Sequence, residues 1–296
     1  MALRLDDREF PNQRVFAAEG RRCGTPVLNS FQKARIRSHR AALALTNADP
    51  STAGPITIPV LFHVIHEGAR GQLTDAELQA QLDVMNQSFN VHNVTFTMAG
   101  ADRTDNPTWY RMTMNSGAER EAKTALGRQH DTHLNFYTAG IGGSLLGWAT
   151  FPSDLAGDPV RDGVVILATS LPGGTSTPYD QGKTAVHEIG HWLGLYHTFE
   201  GGCTPPGDEV DDTPFEATEN IGPADANRDT CPQPGKDPTT NYMDYTDDAG
   251  MTEFTPGQVA RIREQVMLYR PLLLGAGVVT AMTGGPLGID LFTGEF

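Results

Sequence analysis

Fourteen residues, Thr184-Ala-Val-His-Glu-Ile-Gly-His-Trp-Leu-Gly-Leu-Tyr-His197, restrict what this chain can fold into more than any other stretch. They place His187, Glu188, His191, Gly194 and His197 in the spacing H-E-x-x-H-x-x-G-x-x-H. On an α-helix, positions four apart share a face, so His187 and His191 can offer two imidazole nitrogens to one ion with Glu188 beside them as a candidate base. Gly194 can take a positive φ and let the chain leave the helix sharply, freeing His197 to return as a third ligand. Three protein ligands leave the fourth position of a tetrahedral zinc open for water, which is a catalytic arrangement rather than a structural one. A bare H-E-x-x-H also fits an amphipathic helix with two polar histidines. The extended pattern, with five residues of three types in fixed places, is far more demanding.

The 296 residues suit one large or two modest domains with ample core. No apolar run is long enough to span a membrane, and the charged start Met-Ala-Leu-Arg-Leu-Asp-Asp-Arg has no apolar signal-peptide region. A net charge of −14 argues against nucleic acid as a partner. That charge is unevenly spread. Residues 1–55 hold nine Lys/Arg against five Asp/Glu, whereas residues 200–250 hold two against 13. A basic leader and an acidic region near the metal motif attract each other.

Residues 1–55 read as an appended segment with a helix around Ser30–Leu45, closed by the breaker run Asn47-Ala-Asp-Pro-Ser-Thr-Ala-Gly-Pro55. Cys23 stands among arginines, which favours its thiolate, and a thiolate is a soft zinc ligand. It is either a free surface cysteine or a switch that fills the open zinc position until the segment is removed. Ile56–Glu67 reads as a buried strand with His63 and His66 on opposite faces, hence not a metal pair. Thr74-Asp-Ala-Glu77 is a capping box that opens a helix to about Asn90. Strands are predicted over 94–101, 133–138, 145–152 and 163–169, and helices over 117–130 and from about Tyr179 or Asp180 through the histidine motif. The segment around Gly147, Trp148 and Ala149 ends in a proline, as an edge strand does, and an edge beside a cleft can bind a peptide backbone.

Residues 198–240 lack regular pattern, so something must hold them. A disulfide between Cys203 and Cys231 would close a 29-residue loop. Asp208, Asp211, Asp212, Thr213 and Glu216 supply hard oxygen ligands suited to calcium, though not in EF-hand spacing, and a solvated acidic loop reads equally well. Asn241-Tyr-Met-Asp-Tyr245 marks a tight turn, Thr255-Pro256 opens a final helix to about Tyr269, and residues 271–296 form a Gly-rich tail without assigned chemistry.

With the histidine motif, the cysteine pair and Asn-Tyr-Met-Asp-Tyr in hand, residues 56–270 resemble the pappalysin family of metzincin metalloproteases, in its ulilysin-like branch. The resemblance implies an α/β (α+β) fold. Its parts are a twisted mixed sheet with an antiparallel edge strand, an active-site helix, and an irregular C-terminal subdomain ending in a helix. It divides the chain into a pro-segment over 1–55, a catalytic domain over 56–270 with its upper part ending at 197, and a tail over 271–296. It implies a Met-turn at Met243 beneath the metal, and a Tyr245 that binds the resting metal or stabilises the oxyanion. It further implies calcium on Asp208, Asp212, Thr213 and Glu216, and Cys23 as the zinc-binding switch of the latent form. Asp248 becomes the acid at the base of a pocket for Arg or Lys just after the scissile bond. That preference extends to self-cleavage of the leader near Arg35, Arg37 or Arg40.

The expected activity is therefore that of a secreted zinc endopeptidase made as a zymogen, with one catalytic zinc, structural calcium, peptide or protein substrates, and its own pro-segment as intramolecular inhibitor. The disulfide and calcium fit an oxidising exterior. Two other readings stay open: a broad-specificity metzincin endopeptidase, and a catalytically silent calcium-dependent binding module.

Overall fold

The structure, a computed structural model, describes residues 3–5, 8–13, 15, 16, 22–46, 48–141 and 145–274. Five strands form the central sheet: β3 (Ile56–His66), β4 (Val94–Asp105), β5 (Leu134–Ala139), β6 (Gly147–Ala149) and β7 (Val164–Leu167). Their spatial order is β4-β3-β5-β7-β6, parallel throughout except that β6 runs antiparallel to β7. The expected mixed sheet with an antiparallel edge strand is thus present. Alternation explains why its inner strands read as continuous apolar runs. Val60, Phe62 and Val64 of β3, Phe136 of β5 and Val164 and Ile166 of β7 enter one core. Ile65, Tyr137, Ala139, Val165 and Leu167 enter a second core on the opposite face. His63 also faces inward, held by Asp102 at 2.8 Å and Asn135 at 3.0 Å, while His66 is partly exposed.

The first core is covered by α2 (Asp75–Phe89), with the Thr74–Glu77 capping box in place, and by α4 (Lys183–Trp192), which carries the first two histidines. The helix α4 starts later than its sequence suggests because its cap is remote. The Asp248 carboxylate accepts from the Gln181 and Lys183 backbone N–H groups at 2.9 and 3.2 Å, doing from a distant turn what a local cap residue usually does. Helix α3 (Gly117–Leu126) stops short of residue 130, and α5 (Pro256–Tyr269) closes the domain. Of the expected tail, Pro271–Leu274 is a 3-10 turn with Leu273 and Leu274 in the first core, and residues 275–296 lie outside the described residues.

The leader is not a mere appendage. Its hairpin, β1 (Leu3–Leu5) and β2 (Arg8–Phe10), buries Leu3, Leu5 and Phe10 in the second core together with Phe16. Helix α1 (Ser30–Ala44), opened by an Asn29–Gln32 capping box, meets the acidic region through Lys33–Glu200 and Arg37–Glu209 pairs and α5 through an Arg40–Glu264 pair. Arg35, Arg37 and Arg40, the expected self-cleavage positions, all lie within this helix.

The irregular stretch after the histidines is tied at two points. Cys203 and Cys231 form the disulfide, with Cα atoms 5.4 Å apart. Arg228 then gathers Glu216 at 2.8 Å, Asp237 at 2.6 Å and the Thr218 carbonyl at 2.9 Å, a hub that composition does not reveal. A second buried clamp joins the end of α5 to the histidine helix. Arg270 pairs with Asp162 and stacks 3.8 Å from the Trp192 ring centroid, while the Trp192 indole N–H donates to the same carboxylate at 3.2 Å.

Candidate active site

His187 and His191 leave one face of α4, and Gly194, at φ +97°, turns the chain so that His197 meets them. A side chain at Gly194 would meet Gln265 within 2.5 Å, so the turn and the packing of α5 both require glycine. His187 Nδ1 lies 2.7 Å from the Tyr242 carbonyl and His191 Nδ1 2.8 Å from the Leu195 carbonyl. These contacts fix the protons on Nδ1 and turn both Nε2 lone pairs inward. His191 Nε2 then stands 3.2 Å from His187 Nε2 and 3.1 Å from His197 Nε2. Three acceptors facing one another in a buried site repel unless a cation sits among them. Together with the Cys23 thiol, their ligand atoms lie within 4.8 Å of one another, a soft and borderline donor set that fits zinc. Burial pushes all three imidazoles below their ordinary value, keeping them neutral and able to ligate.

Met243 lies directly beneath α4. A Cβ at Gly190 would stand 2.4 Å from its sulfur, so the motif's inner glycine is a packing requirement. The turn is held by Asn241, whose side chain accepts from Met243 N at 2.9 Å and bonds Gln258 of α5 at 2.8 Å. The Tyr245 ring sits 5.7 Å from His187 and 5.2 Å from His197. Burial pushes its phenol well up, with the neighbouring Cys23 and Glu188 adding to the shift, so it stays a hydrogen-bond donor.

Three consecutive features of the leader meet three parts of this site. Cys23 Sγ joins the histidines and lies 3.4 Å from Glu188. By sequence alone, the neighbouring arginines favour its thiolate. The structure instead places the thiol in full burial beside a carboxylate, which pushes it up, because Arg22 points elsewhere. Thr25 donates its hydroxyl to Glu188 at 2.9 Å and accepts from Ala149 N at 2.8 Å. Burial holds Glu188 itself at about 7. Arg22 enters a pocket in which one Nη donates to the Thr246 carbonyl and the other lies 3.5 Å from Asp248. Its guanidinium lies over the Tyr179 ring, 4.7 Å from the centroid, and contacts Met251 Sδ at 3.4 Å. Burial raises Asp248 to about 6 even with Arg22 lowering it. The roles of Arg22, Thr25 and Tyr179 are not legible in the sequence. The first two flank Cys23, but nothing in sequence says which way they face.

Along the edge strand, Leu146 N donates to the Arg22 carbonyl at 2.9 Å and Gly24 N to the Gly147 carbonyl at 2.8 Å. The leader therefore runs parallel to β6. Gly147 and Ala149 present backbone to it, while Trp148 turns away and donates its indole N–H to Glu119 at 2.8 Å.

The acidic loop divides. Asp208 Oδ2 and Thr213 Oγ1 are buried without a hydrogen-bond partner, and burial raises Asp208 to about 7. Asp212 instead bonds Thr255 and Gly257 at the start of α5, and Glu216 bonds Thr198 and Arg228.

The profile of the peptidase M43 family, described as Pregnancy-associated plasma protein-A, matches residues 145–267. An extracellular metalloprotease of Verticillium alfalfae is 41% identical over 259 residues, covering 84% of this chain and 89% of that protein. A second, from Pyricularia oryzae, is 41% identical over 262 residues, with the same coverage of 84% and 89%. Among solved structures, a mutant of Tannerella forsythia promirolysin superposes with a TM-score of 0.75 at 27% identity, over 88% of this chain and 98% of that one. Mature mirolysin in complex with a cleaved peptide superposes with a TM-score of 0.65 at 30% identity, over 75% and 99%.

Proposed function

Because the chain belongs to the pappalysin (M43) family of metalloendopeptidases, we propose that it is a secreted zinc endopeptidase, kept latent by residues 1–55 and cutting before arginine or lysine. The observation that carries this reading is the seating of Arg22, Cys23 and Thr25 on the basic pocket, the histidine cage and the Glu188 base. The catalytic domain spans 56–270, with the sheet and histidine helix in 56–197 and the turn and pocket floor in 198–270.

His187, His191 and His197 would hold the zinc, with Cys23 as fourth donor in the latent chain. Bound there, zinc would supply Lewis acidity for polarising a carbonyl and acidifying water. Glu188 takes the proton of the attacking water and passes it to the leaving amine. Tyr245 donates to the oxygen that gains charge, and Gly147 and Ala149 align the substrate backbone along β6.

The polarity of the leader would protect it from being cut in place. It runs parallel to β6, so along its direction Arg22 precedes the Cys23 that joins the histidines. A substrate with its basic side chain in the same pocket and its scissile bond before that residue must run antiparallel to β6. Arginine suits the pocket because a guanidinium reaches Thr246 O and Asp248 together while stacking on Tyr179.

Calcium fits Asp208, whose Oδ1 accepts from Val210 N at 3.1 Å but whose Oδ2 is unmet, and Thr213, whose Oγ1 is unmet, better than Asp212 and Glu216, whose oxygens are engaged. Secretion is supported by the disulfide and by relatives named as extracellular.

The test is zinc content and peptide hydrolysis before and after limited proteolysis, on the wild type, Cys23→Ala and Glu188→Ala. We expect one zinc per chain in all three, activity released by leader removal in the wild type, early activity in Cys23→Ala and none in Glu188→Ala. Bound zinc with no cleavage by any form would leave a silent binding module.

A further inference from the structure

Tyr179 has two occupants. Arg22 lies 4.7 Å from its ring centroid in the basic pocket, and the Phe16 ring, 5.9 Å away centroid to centroid, packs against it as well. Phe16 in turn packs on Phe10 at 5.3 Å, and both belong to the core formed with Ile141, Leu146, Leu167 and the hairpin leucines. Gln13 caps the arrangement at the Tyr179 hydroxyl and at Asp247, 3.4 and 2.6 Å away. The leader thus fills, next to the basic pocket and sharing its aromatic wall, a second seat built among the described residues mainly from apolar side chains, with Gln13 and Asp247 at its rim.

We propose that this seat is a subsite of the active enzyme, which binds a large aromatic side chain of the substrate shortly after the basic residue. The inference rests on the reading of the Arg22 pocket given above. Removing the leader uncovers the seat, because Phe16 and Phe10 leave with it. Antiparallel entry then carries the residues following the basic one toward the start of β6, where Leu146 belongs to the same core as Phe16. The Arg22 guanidinium carbon and the Phe16 ring centroid, both close to the Tyr179 ring, lie within about 11 Å of one another. In an extended chain, side chains two residues apart share a face and stand roughly 7 Å apart. The aromatic residue therefore belongs two positions after the basic residue, since one or three positions on it faces the other way and four positions on, at roughly 14 Å, it overshoots. Phe16 is the leader's own surrogate for it.

The experiment uses the wild-type chain activated by leader removal, with the excised fragment separated. Its substrates are quenched peptides of one length with a single arginine and a serine background, each with one phenylalanine one, two, three, four or five positions after the arginine. We expect cleavage before arginine in all. A gain in kcat/KM on the order of tenfold, mostly through KM, should appear for phenylalanine two positions on and be absent one, three or four positions on. Equal rates across the set, or the same gain at every position, would overturn the subsite and leave the basic pocket standing. Absence of cleavage before arginine in every peptide would instead remove the reading on which it rests.

Discussion

Replacing Asp248 with Asn separates the two tasks of that carboxylate. One oxygen accepts from Gln181 N and Lys183 N at the start of α4, and the other faces the guanidinium at 3.5 Å. An amide oxygen can keep the backbone bonds, and its NH2 then meets the guanidinium donor against donor. Hydrogen bonds to charged groups contribute roughly 1.5–3 kcal/mol, and 3.5 Å is a long contact, so about 1.5–2 kcal/mol is at stake. At 1.4 kcal/mol per factor of ten, kcat/KM toward an arginine substrate should fall roughly ten- to thirtyfold. The assay compares two peptides that differ only in arginine or leucine after the scissile bond, on activated wild type and variant with matched zinc content. The ratio of the two rates should drop by that factor while the leucine peptide changes little. The same exchange should shorten the lifetime of the latent form, because Arg22 uses the same carboxylate. If both peptides lose activity together, Asp248 acts through the helix start alone and the pocket assignment is wrong.

Two further outcomes follow from buried groups. Asp208 is raised from 3.8 to about 7 by burial, so its contribution to stability is full below about 3.8 and is lost as pH rises through 7. The ion-free chain should melt lower at pH 8 than at pH 6 by scanning fluorimetry. Asp208→Asn should flatten part of that slope, and millimolar calcium should raise Tm more at pH 8; an unaltered calcium response in the variant would refute the site. Arg270→Ala strands the Asp162 charge, for which both residues are fully buried, at a cost of about 3–5 kcal/mol. That corresponds to a fall in Tm of roughly 10 °C, readable in the same instrument, and a change below 2 °C would show that the clamp is not where the fold is held.

What could be read without coordinates was local or periodic. The histidine motif carries its own geometry, the capping box at Thr74 opens α2, and the inner strands β3, β5 and β7 announce themselves because both their faces are covered. What escaped reading depends on distant partners. The start of α4 is set by Asp248, some 65 residues away, so no local cap marks it. The leader appeared separate because its apolar residues are few and scattered, yet Leu3, Leu5, Phe10 and Phe16 complete a core with strands far along the chain. Cys23 was found by its type, whereas Arg22 and Thr25 took their meaning only from what they face. Of the acidic loop, composition offered five oxygen donors. Only the structure separates Asp208, with an unmet oxygen, from Asp212, which caps α5.

Helix α1 has a consequence for timing. A cleft that aligns peptides along a strand edge takes an extended chain, but Arg35, Arg37 and Arg40 lie in a capped helix. A cut at any of them must wait for that stretch to unwind, an event governed by local opening rather than by encounter with a protease. When cleavage is fast, the conversion becomes first order and indifferent to protease concentration, with the steep temperature dependence of unfolding. In that regime the helix would act as a clock, with the ion pairs to Glu200, Glu209 and Glu264 opposing its opening.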